Sequence, residues 1–311
     1  MLGKVEPSEL GFTQCHEHLL ISKGKSFEIN PALCIDEPDK SIQDLKAYGL
    51  AGGRAVVDAQ PGGCNRDAAG LEEISRKTGI HIIASTGFHK LQFYPEKHWI
   101  HTMSRESLEQ FYISELTQGM SLNIDREWKP KRIKSKAGII KTALDVCGLR
   151  GRYGELFEAA AGAQKATDAP MMVHIEKGSS PEALAEFLKE RDVDCGRVYF
   201  CHMDRACEKE EIFLEILKTG ITLEFDTIGR FKYHSDREEL ELIKKILRWG
   251  YEGQLLFSLD TTRARLKSYD SKAVGLDYIL GTFLPAMREY GITEEQIQKI
   301  SAENPQRILS W

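Results

Sequence analysis

The sequence predicts a parallel (β/α)8 barrel, the fold in which eight strands alternate with helices around a closed sheet. Eight short apolar runs with the character of strands alternate with helical stretches along the chain, and this alternation is typical of parallel barrels. The chain has 311 residues, of which 41% are hydrophobic, which is enough for one barrel of ordinary size. We therefore expect a single domain that spans residues 1–311.

The predicted strands are short runs rich in apolar and β-branched side chains. They cover residues 12–20, 55–59, 80–86, 138–141, 171–174, 198–202, 221–225 and 255–259. Helical stretches are predicted at 66–77, 105–116, 154–167, 180–189, 208–218 and 237–249, with a helical tail from 271 onward. Capping signals mark two helix starts, because Ser180 precedes Pro181 and Thr293 stands three residues before Gln296. The long aromatic connection 90–104 is typical of a functional loop at a barrel mouth.

Composition and charge exclude several classes of protein. A net charge of −5 offers no electrostatic attraction for nucleic acid, and the basic segment 129–136 is short enough to be a solvated loop. Residues 1–6 lack the apolar stretch that is typical of a signal peptide, and no run approaches the roughly 20 apolar residues of a membrane span. The seven cysteines stand singly, which argues against a disulfide framework. We expect a cytoplasmic protein without nucleic-acid or membrane partners, and a homodimer is compatible with the sequence.

Metal-binding side chains recur where the predicted strands end. His16 and His18 close the first run, and residues i and i+2 of a strand point to the same face, so both imidazoles can bind one ion. The later runs end in Lys141, His174, His202 and Asp260. An isolated pair of histidines is more often a surface or buried pair than a metal site. Because the carboxyl ends of barrel strands meet at one mouth, the recurrence predicts a metal site there.

In this order and spacing, the six residues resemble the phosphotriesterase family within the amidohydrolase superfamily, over nearly the whole chain. The resemblance implies a binuclear site in which His16, His18 and Asp260 hold the more buried metal. His174 and His202 would hold the more exposed metal, and a carboxylated lysine at position 141, together with a hydroxide, would bridge both. The closing segment 302–309, with its Asn-Pro pair, also resembles the last helix of this family.

The implied chemistry explains why these residue types are needed. An unmodified lysine is a poor metal ligand at neutral pH because its amine is protonated, whereas reaction of Lys141 with CO2 would give an anionic carbamate with two oxygens. The donors favour two divalent ions per chain. Zn²⁺ is the expected metal, and Mn²⁺ or Co²⁺ are alternatives. Such a pair lowers the pKa of a bridging water, and Asp260 is placed to accept its proton. The absence of a GxSxG motif weakens a serine-esterase mechanism.

The loops after strands seven and eight predict an anionic substrate. Lys232 and Arg263 follow these strands, in the region where barrels often bind phosphate. The loops resemble the branch of the family that hydrolyses phosphorylated sugar lactones, which implies pentonolactone phosphate as substrate and Lys232 and Arg263 as its phosphate ligands. Two alternatives remain: a phosphotriesterase or another ester or lactone hydrolase with a neutral substrate, and a non-catalytic binding or scaffold protein that keeps the barrel.

Overall fold

Eight parallel strands form the centre of the molecule. The computed structural model describes residues 1–128, 131–207 and 209–311. The strands are β1 (Phe12–Glu17), β2 (Gly53–Asp58), β3 (His81–Gly87), β4 (Ile139–Leu144), β5 (Met171–Ile175), β6 (Val198–Cys201), β7 (Thr222–Phe225) and β8 (Leu255–Phe257). Each strand pairs in parallel with the next one along the chain.

The segment after β8 returns to β1 and closes the ring. The backbone N–H of Asp260 donates to the carbonyl of His16 at 3.0 Å. The carboxylate of Glu17 accepts from the N–H groups of Leu259 and Thr261 at 2.8 and 3.1 Å. The predicted (β/α)8 barrel is therefore confirmed.

The α-helices lie between successive strands and after β8. They are α1 (Lys25–Ile29), α2 (Pro38–Leu50), α3 (Ala68–Thr78), α4 (Arg105–Thr117), α5 (Arg152–Thr167), α6 (Pro181–Glu190), α7 (Met203–Ala206), α8 (Glu210–Lys218), α9 (Asp236–Arg248), α10 (Leu284–Glu289), α11 (Glu294–Gln298) and α12 (Asn304–Leu309). A π-helical turn directly precedes α10 (Ile279–Phe283), and another precedes α12 (Lys299–Glu303). Among the described residues, no helix is long and apolar enough to cross a membrane.

Apolar side chains fill the barrel beneath its carboxyl end. Alternate strand residues such as Val57, Met172, Tyr199 and Leu256 are fully buried in one cluster, as expected for side chains that point into the barrel. Ile308 of α12 belongs to the same cluster and covers its lower end. Because apolar side chains fill the interior, a polar active site can form only at the carboxyl ends of the strands.

Several predicted boundaries differ from the structure. The helix predicted from residue 66 begins at Ala68, because Arg66 is instead buried in an ion pair with Glu115 at 2.7 Å. The predicted tail is non-helical until Ile279, and α2 was not predicted. Lys129 of the basic segment and Glu208, the predicted start of a helix, lie outside the described residues.

The predicted caps are confirmed. The side chain of Ser180 accepts from the N–H of Ala183, which caps α6. Thr293 and Gln296 bond reciprocally to each other's backbone at the start of α11. These contacts satisfy N–H groups that have no partner within the helix.

Candidate metal centre

A cavity of about 600 Å³ opens at the carboxyl ends of the strands. Five of the six predicted metal ligands line it: His16, His18, His174, His202 and Asp260. The sixth, Lys141, is fully buried beside them, with its Nζ 3.5 Å from Nε2 of His16. The structure therefore brings the predicted ligands to one place.

His16, His18 and Asp260 form a first donor group. One ligand atom from each lies within 4.8 Å of the other two, and Asp260 Oδ1 is 3.6 Å from Nε2 of both histidines. The pairing register of β1 shifts between Gln14 and Glu17, and such irregularities commonly redirect side chains beside active sites. The left-handed backbone of Asp260, with φ 47°, is another local strain of the kind that accumulates at functional sites.

His174 and His202 form a second donor group, and their Nδ1 and Nε2 atoms lie 2.7 Å apart. A carboxylate orients the other nitrogen of each ring. Asp226 Oδ1 is 2.6 Å from Nδ1 of His202, and Glu176 Oε2 is 3.1 Å from Nε2 of His174. Outer partners of this type fix the ring and its tautomer, which leaves the facing nitrogens free to bind a metal.

Lys141 lies within β4 rather than at its end. The prediction that it closes its strand is wrong, because β4 continues to Leu144 with every residue buried. Its Nζ approaches His16 and forms no ion pair with any carboxylate of the described residues. Lysine side chains are seldom fully buried unless they are paired, so the position of Lys141 is unusual for a lysine with only a structural role.

The protonation states suit metal binding. Burial lowers the pKa of His16 and of His174 to about 4, and burial also lowers the pKa of His202 well below its usual value. Burial alone would raise the pKa of Asp260, but Arg230 and the neighbouring histidines outweigh it and hold that pKa well below the usual range. Near pH 7, His16, His174 and His202 are thus neutral and Asp260 is a carboxylate, which are the forms that bind divalent metal ions.

Gly87 at the end of β3 sets the position of Lys141. A Cβ at Gly87 would lie 1.9 Å from the carbonyl oxygen of Lys141, and the glycine has φ +102°. We expect Gly87→Ala to lower both the melting temperature and the bound metal, because the β3 end must move away from β4. Gly79→Ala is the control, since its φ is +71° but no atom lies within 4 Å of the added Cβ. Equal melting temperatures and equal metal contents in the two variants would contradict this role of Gly87.

The predicted phosphate ligands Lys232 and Arg263 lie in different places. Lys232 lines the cavity and its Nζ lies 4.6 Å from the ring centroid of Tyr233. Arg263 is outside the lining, within 3.6 Å of Asp36 and 3.4 Å of Glu37. The structure does not bring Lys232 and Arg263 together.

Other cations line the cavity, and most have partners. Arg230 pairs with Asp260 at 3.1 Å, and Lys90 pairs with Glu176 at 2.5 Å. Arg265 donates to the carbonyls of Ile228 and Gly229 at 2.8 and 3.2 Å. Within the described part of the chain, the lining cations that form no ion pair and donate to no backbone carbonyl are Arg205 and Lys232.

Three residues beside the predicted ligands were not predicted from the sequence: Asp226, Glu176 and Arg205. The signal for Asp226 was present, because it directly follows the apolar run of β7 just as His202 follows that of β6. Glu176 likewise stands two residues after His174. Arg205 carries no comparable signal, since its place in the cavity depends on the short helix α7.

Comparison with known proteins agrees with this geometry. The model of the phosphotriesterase family matches residues 1–309. A phospho-furanose lactonase from Mycoplasmopsis synoviae is 28% identical over 320 residues, which cover 100% of this chain and 91% of that protein.

Two solved structures are similar over almost their whole length. The crystal structure of an amidohydrolase from Mycoplasma synoviae has a TM-score of 0.93 at 29% identity, covering 99% of this chain and 90% of that one. The phosphotriesterase homology protein from Escherichia coli, complexed with phosphate in its active site, has a TM-score of 0.87 at 27% identity, with 97% and 99% covered. Barrel, donor groups and sequence similarity together place the chain in the phosphotriesterase family, and the protein is a hydrolase of that family.

Proposed function

We propose that the protein is a metal-dependent lactonase that opens a phosphorylated sugar lactone, with a pentonolactone phosphate as substrate. The observation that carries this proposal is the pair of cations Arg205 and Lys232, which line the cavity without an ion-pair partner among the described residues. A neutral ester or triester would leave both unpaired. The similarity to a phospho-furanose lactonase supports the same substrate class.

The donor set fits two divalent ions, with Zn²⁺ favoured by its histidines. His16, His18 and Asp260 would hold one ion, and His174 and His202 the other. Lys141 is fully buried and reaches no carboxylate of the described residues, which supports its conversion to a carbamate that would supply anionic oxygen ligands. When bound, the metals would acidify a water and polarise the lactone carbonyl.

Asp260 is the residue that we assign to proton transfer. Its Oδ1 faces the two histidines, while its Oδ2 is held by Arg230 at 3.1 Å. As water adds to the carbonyl carbon and the ring C–O bond breaks, Asp260 takes the proton of the water and delivers it to the departing ring oxygen. Arg230 acts as a positioning residue, because it fixes the carboxylate without contacting the reacting atoms.

Arg205 and Lys232 are our assignment for the phosphate ligands. The guanidinium of Arg205 and Nζ of Lys232 lie 5.2 and 4.6 Å from the centroid of the same ring, that of Tyr233. Two cations beside one ring can contact a single small anion. Arg263, by contrast, would first have to leave Asp36 and Glu37.

Charge removal tests this substrate class. We expect Lys232→Ala and Arg205→Ala each to lower kcat/KM for the phosphorylated lactone by about ten- to a hundred-fold, because a charge-assisted hydrogen bond contributes roughly 1.5–3 kcal/mol. Hydrolysis of the same lactone without phosphate should stay within a few-fold of wild type. Steady-state kinetics on both lactones provides the measurement.

Arg263→Ala is the matched control, since this arginine is paired outside the cavity. It should change neither reaction. Equal losses on both lactones in the Lys232 and Arg205 variants would reject phosphate recognition by these residues. A selective loss in Arg263→Ala alone would instead identify Arg263 as the phosphate ligand.

A further inference from the structure

A second cluster of possible metal ligands lies outside the candidate metal centre. It consists of Asp204 in α7, His234 in the loop after β7, and Glu239 in α9. One ligand atom from each of these residues lies within 4.8 Å of the other two. Asp204 is 9% exposed and Glu239 is 1% exposed, so both carboxylates are buried. None of the three residues has a part in the proposed lactonase mechanism.

The hydrogen bonds within the cluster leave several oxygens unused. Asp204 Oδ2 accepts from the N–H and the hydroxyl of Thr227, each at 2.6 Å. Nε2 of His234 lies 2.8 Å from that hydroxyl and 3.0 Å from Oε2 of Glu239. Oδ1 of Asp204 and Oε1 of Glu239 are buried and have no hydrogen-bond partner among the described residues. A buried acceptor without a donor is a rare and costly arrangement.

The two buried carboxylates of the cluster lie together without a paired lysine or arginine among the described residues. Within the described residues, neither Asp204 nor Glu239 forms an ion pair with a lysine or an arginine; only the imidazole of His234 approaches Glu239. Burial, and after it the neighbouring carboxylates of Asp204, Asp226 and Asp236, raise the pKa of Glu239 well above its usual value. Two carboxylates buried together without a cation are unfavourable as a charged pair.

We propose that Asp204, His234 and Glu239 bind a divalent cation in addition to any ions at the candidate metal centre. Two carboxylates and an imidazole, with the hydroxyl of Thr227 beside them, form a mixed nitrogen and oxygen donor set suited to Mn²⁺ or Zn²⁺. The cation would supply the missing positive charge and would occupy the unused oxygens.

The proposed ion would connect the substrate loop to the metal centre. Thr227 and His234 lie at the two ends of the loop that carries Arg230, Lys232 and Tyr233. Asp204 stands two residues after His202. A cation shared by the loop, α7 and α9 would hold the cavity wall in place. This role is structural and does not depend on which substrate the enzyme hydrolyses.

Metal counting tests the proposal directly. Wild type and Glu239→Gln are dialysed to equilibrium against Mn²⁺, and bound manganese is measured by plasma mass spectrometry. We expect wild type to bind about one more Mn²⁺ per chain than Glu239→Gln, because the amide removes a charged donor. His234→Ala should show the same deficit. Glu241→Gln, an exposed carboxylate on the same helix, is the control and should match wild type.

The difference in bound manganese between wild type and Glu239→Gln distinguishes ions at this cluster from ions at the candidate metal centre. Should that centre bind no manganese, wild type would still bind about one ion and Glu239→Gln none. Manganese contents in folded Glu239→Gln and folded His234→Ala that equal wild type would overturn the proposal, and the cluster would then be balanced by protons. His234→Ala keeps the test decisive if Glu239→Gln does not fold, since His234 is only partly buried.

Discussion

Replacement of Lys141 by alanine is expected to remove most hydrolysis and to lower the bound metal, while the barrel stays folded. The side chain is fully buried beside His16 and has no carboxylate partner among the described residues. Its removal therefore breaks no ion pair but would delete the proposed anionic bridge. Lys136→Ala, an exposed lysine shortly before β4, is the matched control and should keep activity and metal.

The carbamate itself is detectable without an activity assay. Wild type reconstituted with metal and ¹³C-bicarbonate should show a carbamate carbon resonance that Lys141→Ala lacks. Reconstitution in CO2-depleted buffer should yield less bound metal. A metal-replete wild type without this resonance, or a Lys141→Ala variant with wild-type metal content, would show that Lys141 acts as an unmodified lysine.

Asp260→Asn is expected to lower kcat by on the order of 10²-fold or more, the scale of a lost general acid or base. The substitution keeps the shape of the side chain but removes the charge that faces His16, His18 and Arg230. KM should change less, because the proposed phosphate ligands are untouched. Stopped assays at saturating substrate measure kcat, with metal content measured on the same samples.

Arg230→Ala separates proton transfer from positioning. This variant keeps the carboxylate but releases Oδ2 of Asp260, so it should lose less kcat than Asp260→Asn. Activity of Asp260→Asn within a few-fold of wild type, at full metal occupancy, would remove Asp260 from the mechanism.

The strands and their terminal histidines could be predicted because the information is local. Each apolar run marks a strand, and the residue that follows it reaches the same mouth in any closed parallel barrel. His202 directly follows β6 in this way, whereas His174 does not close its strand as predicted, because β5 continues to Ile175. Lys141 was placed too near its strand end, because the buried continuation Thr142 to Leu144 was not recognised as part of β4.

Ion pairs between distant segments could not be predicted in the same way. Arg263 follows strand eight as the resemblance to the sugar lactonases required, but Glu37 lies 226 residues away in sequence and contacts it. Arg205 lines the cavity because it lies in the short helix α7. Whether a cation is free to bind substrate depends on which carboxylates the fold brings to it.

The substrate preference of the metal-reconstituted wild-type enzyme tests the central claim most directly. Values of kcat/KM are compared for a pentonolactone phosphate, for the same lactone without phosphate, and for a neutral phosphotriester. Two charge-assisted contacts of roughly 1.5–3 kcal/mol each predict a preference of at least about 10²-fold for the phosphorylated lactone. Equal values for the two lactones, or a higher value for the neutral triester, would contradict the account.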